Sequence, residues 1–375
     1  MNLSPKHAAT AAVASYRIQS STNVSKAFAD LSDQFDLSPA SRFKGISGGA
    51  FLMQETGFGV IARGKGMYTG DALVVVRGTN SLMDAITDAH AGQTPHRGKT
   101  IHSGFHKTFK TLDIENLFQQ HFAGKNPTQV HCVGHSLGGA VATLVADWAA
   151  RKGMQAKLYT FGCPRVGHQG FAQDVTMRIR AHNIFRVYHS SDIVPMIPLW
   201  PFVHVPDQGA TSCYIDFHTM NPKTAHSMDN YLEHVKHRSS FKQLRQKPPS
   251  IYVEAAVKTW LLHSGAGFLN SYALTMINHA MAYLIQQTGR AIAFVFQDSC
   301  GGISDFLDKL AKYLQQGAKA DKEINGGVKS LMQKMLTATG FMLNMPAILT
   351  TEFIRWVFTV FTNTLYRLAR TALRV

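Results

Sequence analysis

Acidic residues are scarce in this chain. Of 375 residues only 23 are Asp or Glu, against 38 Lys or Arg, so a formal charge of +15 arises although just 16% of residues are charged. A typical soluble chain carries about a quarter. The surplus is thus a deficit of acid rather than a wealth of base. Runs or stripes of Lys and Arg are also missing, and the interval from Thr259 to Gly289 holds no charge at all. A protein that tracks a phosphate backbone concentrates its cations, so nucleic acid is excluded as the expected partner, and an anionic membrane surface takes its place. Cysteine is sparse too: Cys132, Cys163, Cys213 and Cys300 sit at no metal-ligand spacing and imply no disulfide framework. Also absent are an internal repeat, a low-complexity tract and an apolar signal-peptide core, since Ser15, Tyr16 and Arg17 interrupt the Ala-rich start. No Sec-type export is expected.

Two apolar tracts raise the question of a membrane span. The uncharged stretch before Arg290 contains His263, Asn270, Ser271, Asn278, His279, Gln286 and Gln287, too many polar groups for lipid on all sides. Met335–Leu373 is more apolar but includes Pro346, Glu352 and Arg355. From Thr351 onward Arg355, Thr359, Thr362, Asn363, Arg367 and Arg370 recur at helical spacing among aromatic and aliphatic residues. That is the pattern of a basic amphipathic helix able to lie in a membrane interface. A spanning helix, or a helix packed on its own domain with its arginines in water, are the alternatives.

The chain divides at Lys247-Pro248-Pro249-Ser250. Residues 1–40 are read as an N-terminal helix or arm, 41–247 as a catalytic domain and 248–375 as a helical, apolar domain. Before the division, strand-like runs (Gly57–Arg63, Ala72–Val76, Gln129–Val133, Ala156–Phe161, Ile184–Tyr188) alternate with helical patterns at Thr111–Phe122 and Leu137–Lys152. This predicts an α/β sheet flanked by helices, followed by an all-helical part of about four to six helices punctuated by Gly265, Gly267, Gly301-Gly302, Gly326-Gly327 and Pro346.

The pattern Gly-x-Ser-x-Gly occurs twice, and context separates the two copies. Around Ser47, in Gly45-Ile46-Ser47-Gly48-Gly49, no buried strand precedes and no helix of small residues follows, which suggests a glycine-rich turn. Around Ser136, a strand-like Gln129–Val133 leads into Gly134-His135-Ser136-Leu137-Gly138 and then into a helix that begins with small residues. That strand–turn–helix is what a nucleophile elbow requires. The turn projects one serine hydroxyl above the sheet, Gly134 and Gly138 let strand and helix approach, and the helix N-terminus places the Leu137 amide where an oxyanion forms. Ser136 is therefore the predicted nucleophile.

Together with the elbow, Leu73–Ser81 resembles the class 3 (fungal-type) triacylglycerol lipase family. Ile101-His102-Ser103-Gly104-Phe105, Phe161–Gly167 and Arg186-Val187-Tyr188 leading to Asp192-Ile193-Val194-Pro195 fall in the family's order. The resemblance spans about Phe51 to Leu232. It implies an α/β-hydrolase fold with Thr79 as second oxyanion donor, Asp192 as acid and His226 as base, in the chain order Ser, acid, His. Asp216 and Asp229 remain alternatives for the acid, and His204 and His218 for the base. No metal or cofactor is required. His102 and His106 lack a third ligand. The family's apolar helical lid is in doubt, because Ala91–Lys99 is short, polar and basic. Met196, Ile197, Leu199, Trp200 and Phe202, just after the acid, are the candidate acyl pocket, lined or covered by part of the helical domain.

More loosely, this architecture resembles the lipase effectors that bacteria deliver by type VI secretion. That resemblance implies a bacterial protein delivered to the envelope or periplasm of target cells, peripherally membrane-associated, with an immunity protein and a carrier protein as partners. The predicted activity is a phospholipase A. A triacylglycerol lipase or carboxylesterase with the same triad, and a non-enzymatic membrane-disrupting protein, are the alternatives.

Overall fold

The computed structural model describes residues 1–18, 23–38, 42–47, 54–78, 93–206, 212–244, 254–263, 269–288 and 303–373. The first helices are α1 (Pro5–Arg17) and α2 (Val24–Ala27), followed by β1 (Phe35–Asp36), β2 (Arg42–Ser47), β3 (Gln54–Gly64), β4 (Asp71–Val76) and the hairpin β5 (Gln93–His96) and β6 (Lys99–His102). Next come α3 (Ser103–Thr111), α4 (Ile114–Phe122), β7 (Gln129–His135), α5 (Leu137–Arg151), β8 (Gln155–Phe161), α6 (Gln169–Ile179), β9 (Ile184–His189) and β10 (Ser212–Ile215). Two short helices close the α/β part, α7 (Pro222–His226) and α8 (Met228–Val235). The remaining described residues form five helices: α9 (Glu254–Leu262), α10 (Ser271–Gln287), α11 (Ile303–Ala320), α12 (Lys322–Ala338) and α13 (Thr351–Leu373).

Strands pair in the order β1-β3-β4-β7-β8-β9-β10, with β2 also on β3. The pairings from β4 through β10 are parallel, and those of β3 are antiparallel. Alternation along the strands sorts side chains to two faces. Leu73, Val75, Val133, Tyr159 and Phe161 face α1 and α8, whereas Val74, Val76, Val130, Cys132 and Leu158 face α5. The chain thus builds an α/β-hydrolase fold, a mixed sheet covered by helices on both sides, with a helical C-terminal region.

Several local readings need correction. Ser47 ends a real strand, since β2 pairs with β3 from Arg42 to Ser47 with one register shift between Phe43 and Lys44. Among the described residues it is joined only to β3, unlike the central β7 that leads to Ser136. The stretch Thr111–Phe122 is not one helix: Asp113 takes the left-handed conformation at φ 44° and separates α3 from α4. Residues 93–102 form a hairpin turned by Arg97 and Gly98, both at positive φ, and the residues from Thr79 to Gly92 lie outside the described residues. Gly326-Gly327 does not break a helix. Both lie inside α12, where a Cβ on Gly327 would come 2.8 Å from Leu284 Cδ2, so the glycine permits close packing on α10.

The Ala-rich start is a helix whose small side chains bring it against the sheet: Ala8, Ala9, Ala11 and Ala12 are fully buried. The expected division at 247/248 lies outside the described residues. One hydrophobic cluster runs continuously from Val74 and Leu158 through Met196 and Ile197 to Leu274, Phe358 and Phe361 of the helices. Polar side chains of the uncharged tract serve this junction: Asn278 Oδ1 accepts the Trp200 amide at 2.7 Å, and its Nδ2 donates to the Leu274 carbonyl. Among the described residues no helix is long and apolar enough to cross a membrane. The apolar face of α13 (Ile354, Val357, Phe358, Phe361, Leu365) is buried in the protein, so this helix does not lie free on a membrane.

Candidate active site

Ser136 stands between β7 and α5 at φ 57° and ψ −133°, a strained conformation that the surrounding glycines make affordable. A Cβ on Gly134 would fall 2.3 Å from the Gly138 carbonyl oxygen, and one on Gly138 would fall 2.3 Å from that of Val76. Neither neighbour can yield, because both are backbone. The Ser136 amide donates to the Phe161 carbonyl at 2.8 Å, fixing the turn over the adjacent strand.

The structure brings together Ser136, Asp192 and His226, the residues predicted as nucleophile, acid and base. His226 Nε2 lies 2.8 Å from Ser136 Oγ, and His226 Nδ1 lies 2.8 Å from Asp192 Oδ2. With Nδ1–H donating to the carboxylate, Nε2 is the acceptor for the serine proton. All three are buried, Ser136 and Asp192 at 1% exposure and His226 at 3%. The alternatives lie elsewhere: His218 and Asp216 pair with each other at 2.9 Å on the surface, Asp229 is exposed, and His204 is half-buried near Pro195.

Each member of the line is held by a second contact. Asp192 Oδ2 also accepts from the Tyr231 hydroxyl at 2.7 Å, while its Oδ1 accepts from the Val194 amide at 3.0 Å. Tyr231 in turn accepts from the His189 amide, and its ring stacks on the His189 imidazole at 3.7 Å between centroids. His189 Nδ1–H donates to the Ala225 carbonyl, and Nε2 faces His234 Nδ1 at 3.1 Å. Behind the base, His135 Nε2–H donates to the His226 carbonyl at 2.9 Å, and His135 Nδ1 accepts from the Tyr16 hydroxyl at 2.6 Å. Burial, and then the nearby His226 ring, hold the His135 pKa well below the usual imidazole range, so it serves as a neutral strut.

Tyr16 and the roles of Tyr231, His189 and Gly162 are not visible in the motif. Gly162 carried a signal, since it stands within the Phe161–Gly167 landmark. It adopts φ 55°, and a Cβ there would sit 2.9 Å from both Asp192 Oδ2 and His226 Cε1. Thr79 lies outside the described residues. Leu137 is the first residue of α5, with its side chain in the core and its amide among the unpaired N–H groups that open a helix.

The acyl-pocket candidates separate into two groups. Met196 and Ile197 are core residues, whereas Leu199, Trp200 and Phe202 line an apolar pocket completed by Phe306, Phe358 and Tyr366 of the helices. Helix α13 also packs against α7, whose last residue is His226. His102 caps α3, accepting the Gly104 amide at 3.1 Å. Among the described residues no group of three or more His, Cys, Asp or Glu is placed to hold a metal ion.

Buried imidazoles make stability depend on pH. Burial lowers the pKa of His102, His189 and His279 to about 4, with hydrogen bonding to Ala225 opposing it at His189 and the Arg165 charge adding to it at His279. Once unfolded, each titrates near 6.5. Between these values the unfolded chain binds more protons, so the stability is complete above about pH 6.5 and is lost as pH falls toward 4. The thermal midpoint should drop over that interval, and a flat profile would contradict the burial.

A model of the class 3 lipases matches residues 73–202, which include Ser136 and Asp192 but stop short of His226. The secreted mono- and diacylglycerol lipase 1 of Fusarium solani is 38% identical over 134 residues, covering 34% of this chain and 39% of the relative. The secreted mono- and diacylglycerol lipase A of Penicillium camembertii is 36% identical over 155 residues, 39% of this chain and 50% of the relative. The chain spans about half the length of the curated relatives it matches. The crystal structure of a mono- and diacylglycerol lipase from Aspergillus oryzae aligns at 23% identity and a TM-score of 0.42, over 58% of this chain and 80% of that one. These relatives overturn the expectation of a bacterial protein delivered to a target envelope, because they are secreted fungal enzymes. The matched segment, residues 73–202, with the elbow and the acid that follows it in the chain, is similar to the class 3 lipases.

Proposed function

We propose that the protein hydrolyses the acyl esters of glycerophospholipids, as a phospholipase A. The observation that supports the ester chemistry is the unbroken line Ser136–His226–Asp192 at 2.8 Å per step. His226 Nε2 takes the Ser136 proton as Oγ attacks the ester carbonyl, and the charge that develops on the carbonyl oxygen is met by the Leu137 amide. His226 then protonates the departing alcohol. Water, deprotonated by the same imidazole, releases the acid and restores the serine. Thr79 is the proposed second donor to the oxyanion. The phospholipid preference is supported by the +15 charge, which draws the enzyme to anionic lipid.

A second reading, hydrolysis of mono- and diacylglycerols, is favoured by what the matched relatives are called. Mass spectrometry of products from phosphatidylglycerol vesicles, beside a diacylglycerol emulsion, decides between them. Lysophospholipid and free fatty acid from the vesicles are expected. Fatty acid from the diacylglycerol alone would overturn the phospholipid preference and leave the ester chemistry standing.

A further inference from the structure

We propose that the connection between α12 and α13 is the surface by which this protein docks on a phospholipid bilayer, an inference that rests on the lipase reading above. From Gly340 to Thr351 the chain carries no charge. Within it Met342 is 87% exposed, Ile348 73%, and Phe341 and Leu343 44% each. Trp356, on the second turn of α13, is 39% exposed and meets the Phe341 ring edge-on at 6.0 Å. Leu262 ends α9 close by: the carbonyls on either side of it, Leu261 and His263, are held by Ser330 and Lys334 of α12. Apolar surface of this extent on a soluble chain marks a site of contact, and Trp and Phe beside aliphatic tips suit the boundary between headgroups and acyl chains.

The connection is ordered although its tips are not buried. Gly340, at φ 86°, closes α12, with the Phe341 amide returning to the Leu336 carbonyl. Leu349 is buried, Thr350 Oγ1 accepts the Phe353 amide, and Lys329 Nζ donates to the Ala347 carbonyl at 2.7 Å. The backbone that carries the exposed side chains is therefore anchored before any lipid is met, which lowers the entropy cost of insertion.

Charge selects the occupant. The titratable groups nearest the connection in the chain are Lys329, Lys334, Glu352 and Arg355, the last paired with Asp308 at 2.7 Å. A second copy of this chain would bring another +15 to the contact, whereas an anionic bilayer attracts the molecule as a whole. The amphipathic helix itself is not the docking element, because its apolar face is occupied inside the protein.

The test uses the full chain carrying Ser136→Ala, so that lipid is not consumed, with vesicles of equal parts phosphatidylcholine and phosphatidylglycerol. Adding Met342→Asp and Ile348→Asp should weaken vesicle co-sedimentation about tenfold or more. Met177→Asp, at a site 71% exposed on α6, should leave binding unchanged. Acyl-brominated lipid should quench tryptophan fluorescence, and Trp356→Phe should remove that quenching. Unaltered binding by the double variant, quenching that survives Trp356→Phe, or self-association abolished by the double variant would overturn docking at this surface. Without Ser136→Ala, the double variant should hydrolyse a soluble short-chain ester at the parent rate. A parent protein inactive on that ester would instead refute the lipase reading.

Discussion

Ser136→Ala is expected to reduce ester hydrolysis by about 10⁵-fold or more while leaving the fold in place. The hydroxyl is the only atom removed. Alanine keeps the Cβ that the position at φ 57° already accommodates, so the strain of the turn is unchanged. The Phe161 carbonyl still receives the amide of residue 136, and Gly134 and Gly138 still allow strand and helix to meet. What disappears is the nucleophile, and with it the covalent route. Whatever rate remains comes from substrate binding and oxyanion donors acting on water. The comparison should be made on a soluble ester at saturating concentration, with a melting curve as control. A loss smaller than about tenfold would show that another group performs the attack.

Asp192→Asn should cost about 10⁴-fold in kcat, by a different route. Three donors converge on the carboxylate: His226 Nδ1–H and the Tyr231 hydroxyl at Oδ2, and the Val194 amide at Oδ1. An ionised carboxylate accepts all three. An amide cannot, because its NH₂ only donates. Turned toward Val194, the NH₂ faces a backbone N–H in a buried site. Turned toward His226, it stabilises the tautomer with the proton on Nε2, which no longer accepts from Ser136 Oγ. Tyr231→Phe is the informative companion: it removes one donor and leaves the His189 amide without its partner, yet keeps the charge, so its loss should be far smaller. Equal losses for the two variants would contradict a special role for the carboxylate.

The elbow was legible because its demands are local. A strand, a tight turn and a helix of small residues must be consecutive in sequence, and Gly134 and Gly138 stand where added atoms would strike backbone. The acid and base needed the family resemblance, since 18 histidines give no local reason to prefer His226. What places it is the hydrogen bond from His135, at the end of β7, to its carbonyl and the packing of α13 on α7. The struts of the site were out of reach for the same reason. Tyr16 and His135 are 119 residues apart, and nothing in an Ala-rich helix announces that one tyrosine will reach under the nucleophile.

In the fold, the buried parallel strands were readable as short apolar-rich runs, of which Ala72–Val76 is unbroken. The polar hairpin Gln93–His102 was not, because its register depends on the Arg97-Gly98 turn rather than on alternating hydrophobicity. The helix predicted near Thr111–Phe122 starts instead at Ile114, because Asp113 takes a left-handed backbone angle that apolar spacing does not encode. The tract from Thr351 onward had the composition of a membrane-surface helix. Its apolar side chains complete the protein's own core instead, leaving the uncharged connection ahead of α13 as the exposed part.

The central claim, that Ser136 is the nucleophile activated by His226, is tested most directly by titration with a p-nitrophenyl alkylphosphonate. One equivalent of nitrophenolate per chain, a phosphonyl group mapped to Ser136 by peptide mass spectrometry, and no burst from His226→Ala are the results predicted. Labelling at Ser47, or a burst that persists in His226→Ala, would contradict it.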